Sequence, residues 1–432
     1  MIRMRLLTSL LVLFSLFSYC SCGTGEDTPG GDPLVFANGK PVSRPARWPK
    51  RRREILDIFQ REMYGRIPPA SPIFTELLES GSTSFDGVPA VREQIRMWFR
   101  KDRSGPSVDW LVIRPAEAIG PSPVILTLNY CGNHTMIPDP EVILPDCWLD
   151  NDPNYGIEDH RATEKGRSVL SSPGWRYFCP FGDFLKRGYA FVTACYGELS
   201  ADPEDPAEQT PELVFNGVFS LWGERDASRK DNTMALAAWA WGLMRGMDMI
   251  EVLPSLDKDK VVVTGCSRLG KAALIAGAYD ERFAVVAPVQ TGGGGAPLSR
   301  HKVEGKETVA AETAKYTHWF CEAYKKYADN EDAMPFDQHL LLSCVAPRPL
   351  LVLGYKNVWF DPEGEFLAVK AASPVWEFLG KEGLPDVPFP DYGSSDAIGP
   401  NLGYARRKGK HGVVEVDWNW ILDFASAAMK HQ

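Results

Sequence analysis

The stretch that decides the fold is Val261-Val262-Val263-Thr264-Gly265-Cys266-Ser267-Arg268-Leu269-Gly270-Lys271, which runs into the Ala-rich segment 272–278. The four β-branched residues at its start predict a short buried strand, and the small residues after Lys271 predict a close-packed helix. Ser267 lies between the two. A sharp strand-to-helix turn exposes a hydroxyl beside the free N–H groups of the helix start. We therefore predict that Ser267 is a nucleophile in acyl transfer.

The glycines of this turn depart from the common G-x-S-x-G pattern. Leu269 takes the place of the second glycine, and Gly270 follows one residue later. As a bare pattern the match is weak, so the prediction depends on the strand–turn–helix context. The alternative is that Ser267 only caps a helix after an interior strand, with Lys271 exposed to solvent.

Length and composition are those of a soluble globular protein. The chain has 432 residues, of which 44% are hydrophobic and 24% charged. The net charge of -9 argues against a nucleic-acid partner, and no basic run predicts a membrane-binding patch. Thirteen tryptophans favour carbohydrate binding slightly, since aromatic rings stack on sugars.

The N-terminus predicts export. Arg3 and Arg5 precede the apolar run 6–17, which is too short for a stable membrane anchor. Small residues before Cys20 and Cys22 resemble a bacterial lipoprotein signal, with Cys22 the better acceptor. The alternative is ordinary secretion with cleavage near the same place.

We accordingly divide the chain into a signal peptide at 1–22, a flexible linker at 23–33 and a single catalytic domain at 34–432. The protein is expected in the periplasm, anchored to the outer membrane, or secreted. It would be a monomer that meets a membrane only through the lipid anchor. The seven cysteines of the mature part are scattered without a C-x-x-C pair, so we predict no zinc site and no disulfide framework. No metal or organic cofactor is expected.

Strands and helices alternate through most of the chain. Apolar runs predict strands at 108–114, 123–128, 189–195, 283–289 and 349–353, and a strand, the nucleophile turn and a helix follow one another over 260–279. Helical periodicity predicts further helices at 50–64, 232–253, 363–379 and 414–429. Largely continuous apolar strands are typical of a parallel sheet covered on both faces. The predicted class is α/β: an α/β-hydrolase with a mostly parallel, doubly wound sheet in a three-layer sandwich. An insertion at 129–183 would lie where the strands end.

A serine nucleophile needs a base, and the base needs a partner that holds its tautomer. In this fold the chain order is serine, acid, histidine. His411 lies in the loop before the last helix and is the predicted base, whereas His339 is predicted to be a hydrogen-bonded structural histidine. Asp361, the first carboxylate after the strand at 349–353, is the preferred acid, with Glu363 left as the alternative.

The oxyanion needs preorganised donors. We expect the backbone N–H of Arg268, and also its guanidinium, to serve. A cation at a helix start is disfavoured by the helix dipole, which indicates a functional reason for it.

From about residue 40 to its end, the chain resembles a known family, the glucuronoyl esterases. The segment 265–271 resembles the family's G-C-S-R-x-G-K motif, which is far more specific than G-x-S-x-G. Further resemblance lies in the glycine turn 292–295 and in the segments 318–321, 336–339, 346–349 and 357–366.

The resemblance implies roles for individual residues. Ser267 would be the nucleophile, His411 the base and Arg268 the oxyanion donor. The resemblance also implies that Lys271 hydrogen-bonds sugar hydroxyls, that Trp359 packs on the sugar and that Glu307 binds it. We assign Gln290 to the substrate-binding residues as well.

Two positions depart from the family's pattern. Many members, especially fungal ones, carry the triad acid where this chain has Gln290, whereas other members use the position that matches Asp361. Fungal members also have a cysteine where this chain has Gly412, so Cys266 lacks that disulfide partner.

The predicted function is hydrolysis of esters between (4-O-methyl-)glucuronic acid side groups of glucuronoxylan and lignin alcohols. One alternative is an acetyl xylan or feruloyl esterase on the same fold. Another, of a different class, is an inactive glycan-binding lipoprotein.

Overall fold

The structure is a computed structural model that describes residues 30–172 and 174–430. The predicted signal peptide and residues 23–29 of the predicted linker lie outside the described residues. Residues 30–33, assigned to the same linker, instead pack on the folded chain. The Gly31 carbonyl lies 2.7 Å from Nε2 of His339, and Arg51 donates to the Pro33 carbonyl. The linker boundary is therefore corrected, and His339 is hydrogen-bonded as predicted.

The strands of the described chain are β1 (Phe74–Phe85), β2 (Val88–Trp98), β3 (Ser107–Pro115), β4 (Ser122–Asn129), β5 (Ile157–Glu158), β6 (Arg161–Ala162), β7 (Ala190–Cys195), β8 (Leu256–Cys266), β9 (Val285–Val289), β10 (Leu350–Tyr355) and β11 (Leu402–Arg407). The α-helices are α1 (Trp48–Phe59), α2 (Phe181–Lys186), α3 (Pro211–Val214), α4 (Ala235–Val252), α5 (Arg268–Tyr279), α6 (Val309–Lys315), α7 (Gln338–Ser343), α8 (Pro362–Ala372), α9 (Pro374–Phe378) and α10 (Glu415–Met429).

One mixed sheet organises the described residues. Its strand order is β1-β2-β3-β7-β4-β8-β9-β10-β11, while β5 and β6 pair separately. Along this order, each strand is parallel to the next from β7 through β4, β8, β9 and β10 to β11. At the other end β1, β2, β3 and β7 pair antiparallel. The predicted parallel core is confirmed, and an antiparallel extension is added to it.

Helices cover both faces of the sheet. Trp110 of β3 pairs with Ala194 of β7 and packs so closely on α4 that a Cβ at Gly246 would lie 2.6 Å from its ring. Phe191 of β7 is an odd number of residues from Ala194 and so points to the other face. There its ring lies 6.3 Å from that of Trp418 in α10. This is the three-layer arrangement that the sequence predicts.

The antiparallel hairpin of β1 and β2 is absent from our sequence prediction. Its turn is Asp86-Gly87, with φ of 50° and 77° at the two residues. Positive φ at both central positions is what a two-residue hairpin turn requires, and Asp-Gly supplies it. The helix predicted at 363–379 is two helices, because Pro374 begins a new one after Ser373.

In the described part of the chain, no helix is both long and apolar enough to cross a membrane.

Candidate active site

The predicted nucleophile lies at the turn between β8 and α5. Ser267 has φ 59° and ψ −129°, a conformation that non-glycine residues rarely adopt. Two close backbone approaches define the turn. A Cβ at Gly265 would lie 2.4 Å from the Leu269 carbonyl, and one at Gly270 would lie 2.8 Å from the Gly265 and Val289 carbonyls. This packing explains why the second glycine stands at 270 rather than 269.

Ser267 and His411 line one open cavity of about 390 Å³. The cavity lies where the parallel strands end, the usual place for a site in an open α/β sheet. One wall comes from the insertion after β4, through Asp150, Asn151, Asp152, Tyr155, Ile157 and Arg176. The insertion thus lies at the end of the sheet where it was predicted.

His411 is held by a glutamine. Its Nδ1 lies 2.8 Å from Oε1 of Gln290, the residue that directly follows β9. The same Oε1 accepts the backbone N–H of Gly412 at 2.9 Å. The imidazole ring also lies 4.5 Å from the Phe360 ring and 5.5 Å from the Tyr355 ring, centroid to centroid.

This arrangement determines the tautomer of His411. A backbone N–H can only donate, so the Gly412 contact identifies the Gln290 atom as the carbonyl oxygen. Nδ1 of His411 must then carry the proton that it donates to that oxygen. In a neutral imidazole this leaves Nε2 as the basic nitrogen.

A buried ion pair supports the loop that carries His411. Arg407, at the end of β11, donates from Nε to both carboxylate oxygens of Asp417, at 2.9 and 2.7 Å. Its Nη groups donate to the carbonyls of Lys408, Lys410 and Gly412. Arg407 is 5% exposed and Asp417 is fully buried, so the loop is built around this pair. Neither residue is among those predicted from the sequence.

The charges around His411 are positive. Burial, followed by the charges of Arg176, Arg268, Lys271 and Arg407, lowers the pKa of His411 to about 3. Burial disfavours a charged imidazolium, and the nearby cations disfavour it further. The base is therefore neutral, and ready to accept a proton, over the ordinary pH range.

Arg268 begins α5, and its guanidinium lies beside two carboxylates. It forms ion pairs with Asp202 and, at 2.9 Å, with Glu204. Asp202 is fully buried and also accepts hydrogen bonds from His318 Nε2 and Trp319 Nε1. Although burial alone would raise the pKa of Asp202, the charge of Arg268 and these two hydrogen bonds lower it. Asp202 thus fixes Arg268 at the cavity.

Asp202 was missed because nothing in its local sequence distinguishes it from a loop aspartate. Nε of Arg268 is buried and has no acceptor among the described residues.

Lys271 is buried at the cavity between two carboxylates. Its Nζ lies 3.6 Å from Glu307 and 3.5 Å from Glu312, and 5.0 Å from the centre of the Trp319 ring. Burial raises the pKa of Glu312 well above its usual range, although Lys271 opposes the shift. The ammonium group is therefore fixed in place beside the nucleophile rather than solvated.

Two other predicted sugar-binding residues are joined through the backbone. Glu307 and Trp359 both line the cavity, and the N–H of Glu307 donates to the Trp359 carbonyl at 2.9 Å. Trp359 is 40% exposed, which is unusual for a tryptophan and leaves a face open to a ligand.

The predicted acid does not reach the predicted base. Asp361 accepts from His301 Nδ1 at 2.8 Å and from the Gly364 N–H at 2.9 Å, with Lys306 Nζ 3.5 Å away. Its carboxylate caps α8 and neutralises Lys306, which explains why it does not contact His411. The prediction that Asp361 orients His411 is corrected accordingly.

The alternatives on the same helix do not replace Asp361. Glu363 is exposed in the first turn of α8. Glu365 is buried and faces Thr291, with Oε1 3.4 Å from the Thr291 hydroxyl. Neither forms a hydrogen bond with His411 among the described contacts.

Gln290 is also placed differently from its prediction as a substrate-binding residue. It is fully buried, and its Oε1 is taken up by His411 and Gly412. Its contacts are with the catalytic loop, beneath the cavity surface.

Comparison with known proteins identifies similar chains. A family model described as "Glucuronyl esterase, fungi" matches residues 207–380. The chain is 35% identical over 404 residues to a carbohydrate esterase, MZ0003, from an unknown prokaryotic organism, covering 92% of this chain and 89% of that one. It is 41% identical over 394 residues to the 4-O-methyl-glucuronoyl methylesterase of Schizophyllum commune, covering 87% and 82%. The solved glucuronoyl esterase of Solibacter usitatus superposes with a TM-score of 0.81 at 35% identity, covering 92% and 97%.

Proposed function

The chain belongs to the glucuronoyl esterase family, and on that premise we propose that it hydrolyses esters between glucuronic or 4-O-methyl-glucuronic acid side groups of glucuronoxylan and lignin alcohols. The observation that carries this proposal is the grouping of Ser267 with two fixed cations, Arg268 and Lys271, in one cavity. A uronate ester carries the sugar on the acyl side, so the ring lies next to the nucleophile.

The first chemical step uses the Nε2 nitrogen of His411. Ser267 Oγ attacks the ester carbonyl while Nε2 accepts its proton. The carbonyl carbon becomes tetrahedral and its oxygen becomes an oxyanion. When the ester bond breaks, the imidazolium returns the proton to the leaving lignin alcohol. An acyl-enzyme between Ser267 and the uronate remains.

Arg268 stabilises the oxyanion. Its backbone N–H is the first of α5, and its Nε–H has no acceptor among the described protein atoms. Donors that are already oriented cost no reorganisation when the charge develops. Asp202 and Glu204 keep the guanidinium in place without using Nε.

Lys271, Glu307 and Trp359 hold the sugar. The ammonium and carboxylate groups hydrogen-bond ring hydroxyls, and the exposed indole packs on the ring. Water then attacks the acyl-enzyme carbonyl while His411 Nε2 accepts its proton. The bond to Ser267 Oγ breaks, the imidazolium returns the proton to that oxygen, and the uronic acid is released.

We also place the protein outside the cytoplasm, on the strength of the apolar run 6–17 after Arg3 and Arg5. Attachment through a lipid on Cys22 agrees with a substrate that is a polymer outside the cell. Globomycin, which blocks cleavage of lipoprotein signals, should leave an unprocessed chain of higher mass in the producing cell. An unchanged mass would leave ordinary secretion as the route.

The proposed function is tested by the choice of ester. The protein should release benzyl alcohol from the benzyl ester of glucuronic acid, with much slower cleavage of acetylated xylan and methyl ferulate. Benzyl galacturonate, which differs only at C4, is the matched control for recognition of the ring. Clear deacetylation or ferulate release without uronate ester cleavage would overturn the proposal, and binding of glucuronoxylan without any turnover would indicate a glycan-binding protein.

A further inference from the structure

The partner of the catalytic histidine is a neutral amide. We propose that Gln290 is the positioning residue of this enzyme, occupying the place of the triad carboxylate and fixing His411 by geometry without supplying a negative charge. This inference rests on the proposed ester hydrolysis through Ser267 and His411.

The backbone and the surrounding contacts hold Gln290 in one position. It directly follows β9 with φ 49°, and its own N–H donates to the Leu353 carbonyl at 2.6 Å. Residues other than glycine rarely adopt positive φ, and such strain persists only where surrounding contacts impose it. The side chain is fully buried and ends 2.8 Å from His411 Nδ1. The fold therefore places this amide against the imidazole.

The two polar atoms of the Gln290 amide differ in their hydrogen bonding. Oε1 accepts two N–H groups, from His411 and from Gly412. Nε2 of Gln290 is buried without an acceptor among the described residues. A buried unsatisfied donor costs stability, so the NH2 group does not explain the presence of glutamine. The surroundings require an acceptor at this position, which the carboxylate of a glutamate would also supply.

The charged side chains around Gln290 and His411 are positive. Four cations on three elements face His411: Arg176 from the insertion, Arg268 and Lys271 from α5, and Arg407 from β11. A carboxylate at position 290 would be attracted by all of them, as well as by the imidazolium. With an amide there, His411 has no negatively charged hydrogen-bond partner within residues 30–172 and 174–430.

The remaining titratable neighbours do not supply that charge. The Tyr355 ring packs on His411, and burial raises the pKa of Tyr355. Burial raises the pKa of the Cys266 thiol and keeps it protonated. Burial, followed by the Asp361 charge, raises the pKa of Glu365 well above its usual range, and its Oε1 faces the Thr291 hydroxyl. Asp361 itself is bound to His301.

Two consequences distinguish an amide partner from a carboxylate. Gln290 fixes the tautomer of His411, because Nδ1 must carry the proton that it donates to Oε1. Nε2 of His411 is therefore the basic nitrogen. Gln290 does not stabilise the imidazolium that forms when Ser267 attacks, so the transition state lacks a favourable charge interaction. The enzyme therefore works with a base of correct geometry and weak basicity.

The test is a pair of substitutions at this position. Gln290→Glu should raise kcat by roughly tenfold or more with KM little changed, and should move the acid limb of the pH profile to higher pH. Gln290→Met has nearly the same shape but no acceptor, so kcat should fall by about a hundredfold or more. Thermal unfolding of both variants shows whether each remains folded.

The proposal is overturned if Gln290→Glu leaves kcat and the pH profile unchanged, or if Gln290→Met retains wild-type kcat. A measurement on the wild-type chain complements them. The ¹⁵N NMR spectrum should show His411 with Nδ1 protonated and Nε2 unprotonated at neutral pH, and the opposite tautomer contradicts the assignment. Because this spectrum needs no substrate, it tests Gln290 even if the wild type fails to cleave a uronate ester, which would refute the proposed function alone.

Discussion

Asp361 and His301 form a hydrogen bond of 2.8 Å between Oδ1 and Nδ1, within a buried group that includes Lys306 and the start of α8. This carboxylate stabilises the wall of the cavity that carries Trp359. It has no contact with His411 among the described hydrogen bonds.

Asp361→Asn should therefore lower stability more than activity. The substitution removes a helix-capping charge and leaves Lys306 without its anionic partner, which should cost about 1–3 kcal/mol of unfolding free energy. Urea unfolding measures that loss. At a temperature where the variant is folded, kcat should stay within about tenfold of wild type. A thousandfold fall in kcat is expected for a triad acid. That result would show that Asp361 acts as the triad acid after all.

Arg407→Gln should destabilise the loop of His411. It leaves Asp417 buried without its partner, and breaking a buried ion pair costs about 3–5 kcal/mol. Both the free energy of unfolding and kcat should fall. In the matched control, the double variant Arg407→Gln/Asp417→Asn should recover part of the stability but not kcat, since the three loop carbonyls still lack their donor. Unaltered kcat in the single variant would show that the loop does not depend on this pair.

Lys271→Met should reduce recognition of the uronate selectively. Loss of a charged hydrogen-bond donor costs about 1.5–3 kcal/mol, so kcat/KM for the glucuronate ester should fall roughly tenfold to a hundredfold. Hydrolysis of 4-nitrophenyl acetate, which has no sugar, should change little. Lys315→Met, at a lysine that packs on Tyr316, is the matched control. Equal losses on both esters would mean that Lys271 supports the nucleophile rather than the sugar.

The pH profile of kcat/KM should have an unusually acidic lower limb. Burial and four cations lower the pKa of His411 to about 3, so the base remains neutral as pH falls through the ordinary histidine value of about 6.5. Activity should be nearly constant down to about pH 5. Recovery of activity after a return to neutral pH separates titration from acid unfolding. A limb centred near 6.5 would contradict the charge distribution described for the cavity.

Much of the fold can be predicted from the sequence, because short local patterns determine the parallel strands and the nucleophile turn. The parallel strands are continuous β-branched runs, and the nucleophile turn is recognisable from Ser267 and its glycines. The β1–β2 hairpin was missed because strand Phe74–Phe85 alternates between half-buried and exposed residues and has no apolar run. Its Asp86-Gly87 turn was the available signal.

The partner of His411 could not be derived in the same way. Choosing the first carboxylate after β10 assumes that proximity in sequence decides the contact. In the fold, Asp361 is occupied by His301 and the N–H of Gly364, while Gln290 reaches the imidazole from the neighbouring strand. Such a choice depends on which groups compete for a side chain in three dimensions. The roles of Asp202 and Arg407 were hidden for the same reason.

The central claim is that Ser267 attacks a uronate ester, and the most direct measurement is hydrolysis of the benzyl ester of glucuronic acid by the wild type and by Ser267→Ala. Ser426→Ala is the matched control, because that serine lies in α10 beside Tyr189 and outside the cavity. The account predicts a loss of about a thousandfold or more in kcat for Ser267→Ala and wild-type activity for the control. Benzyl ester cleavage that survives in Ser267→Ala would contradict the account.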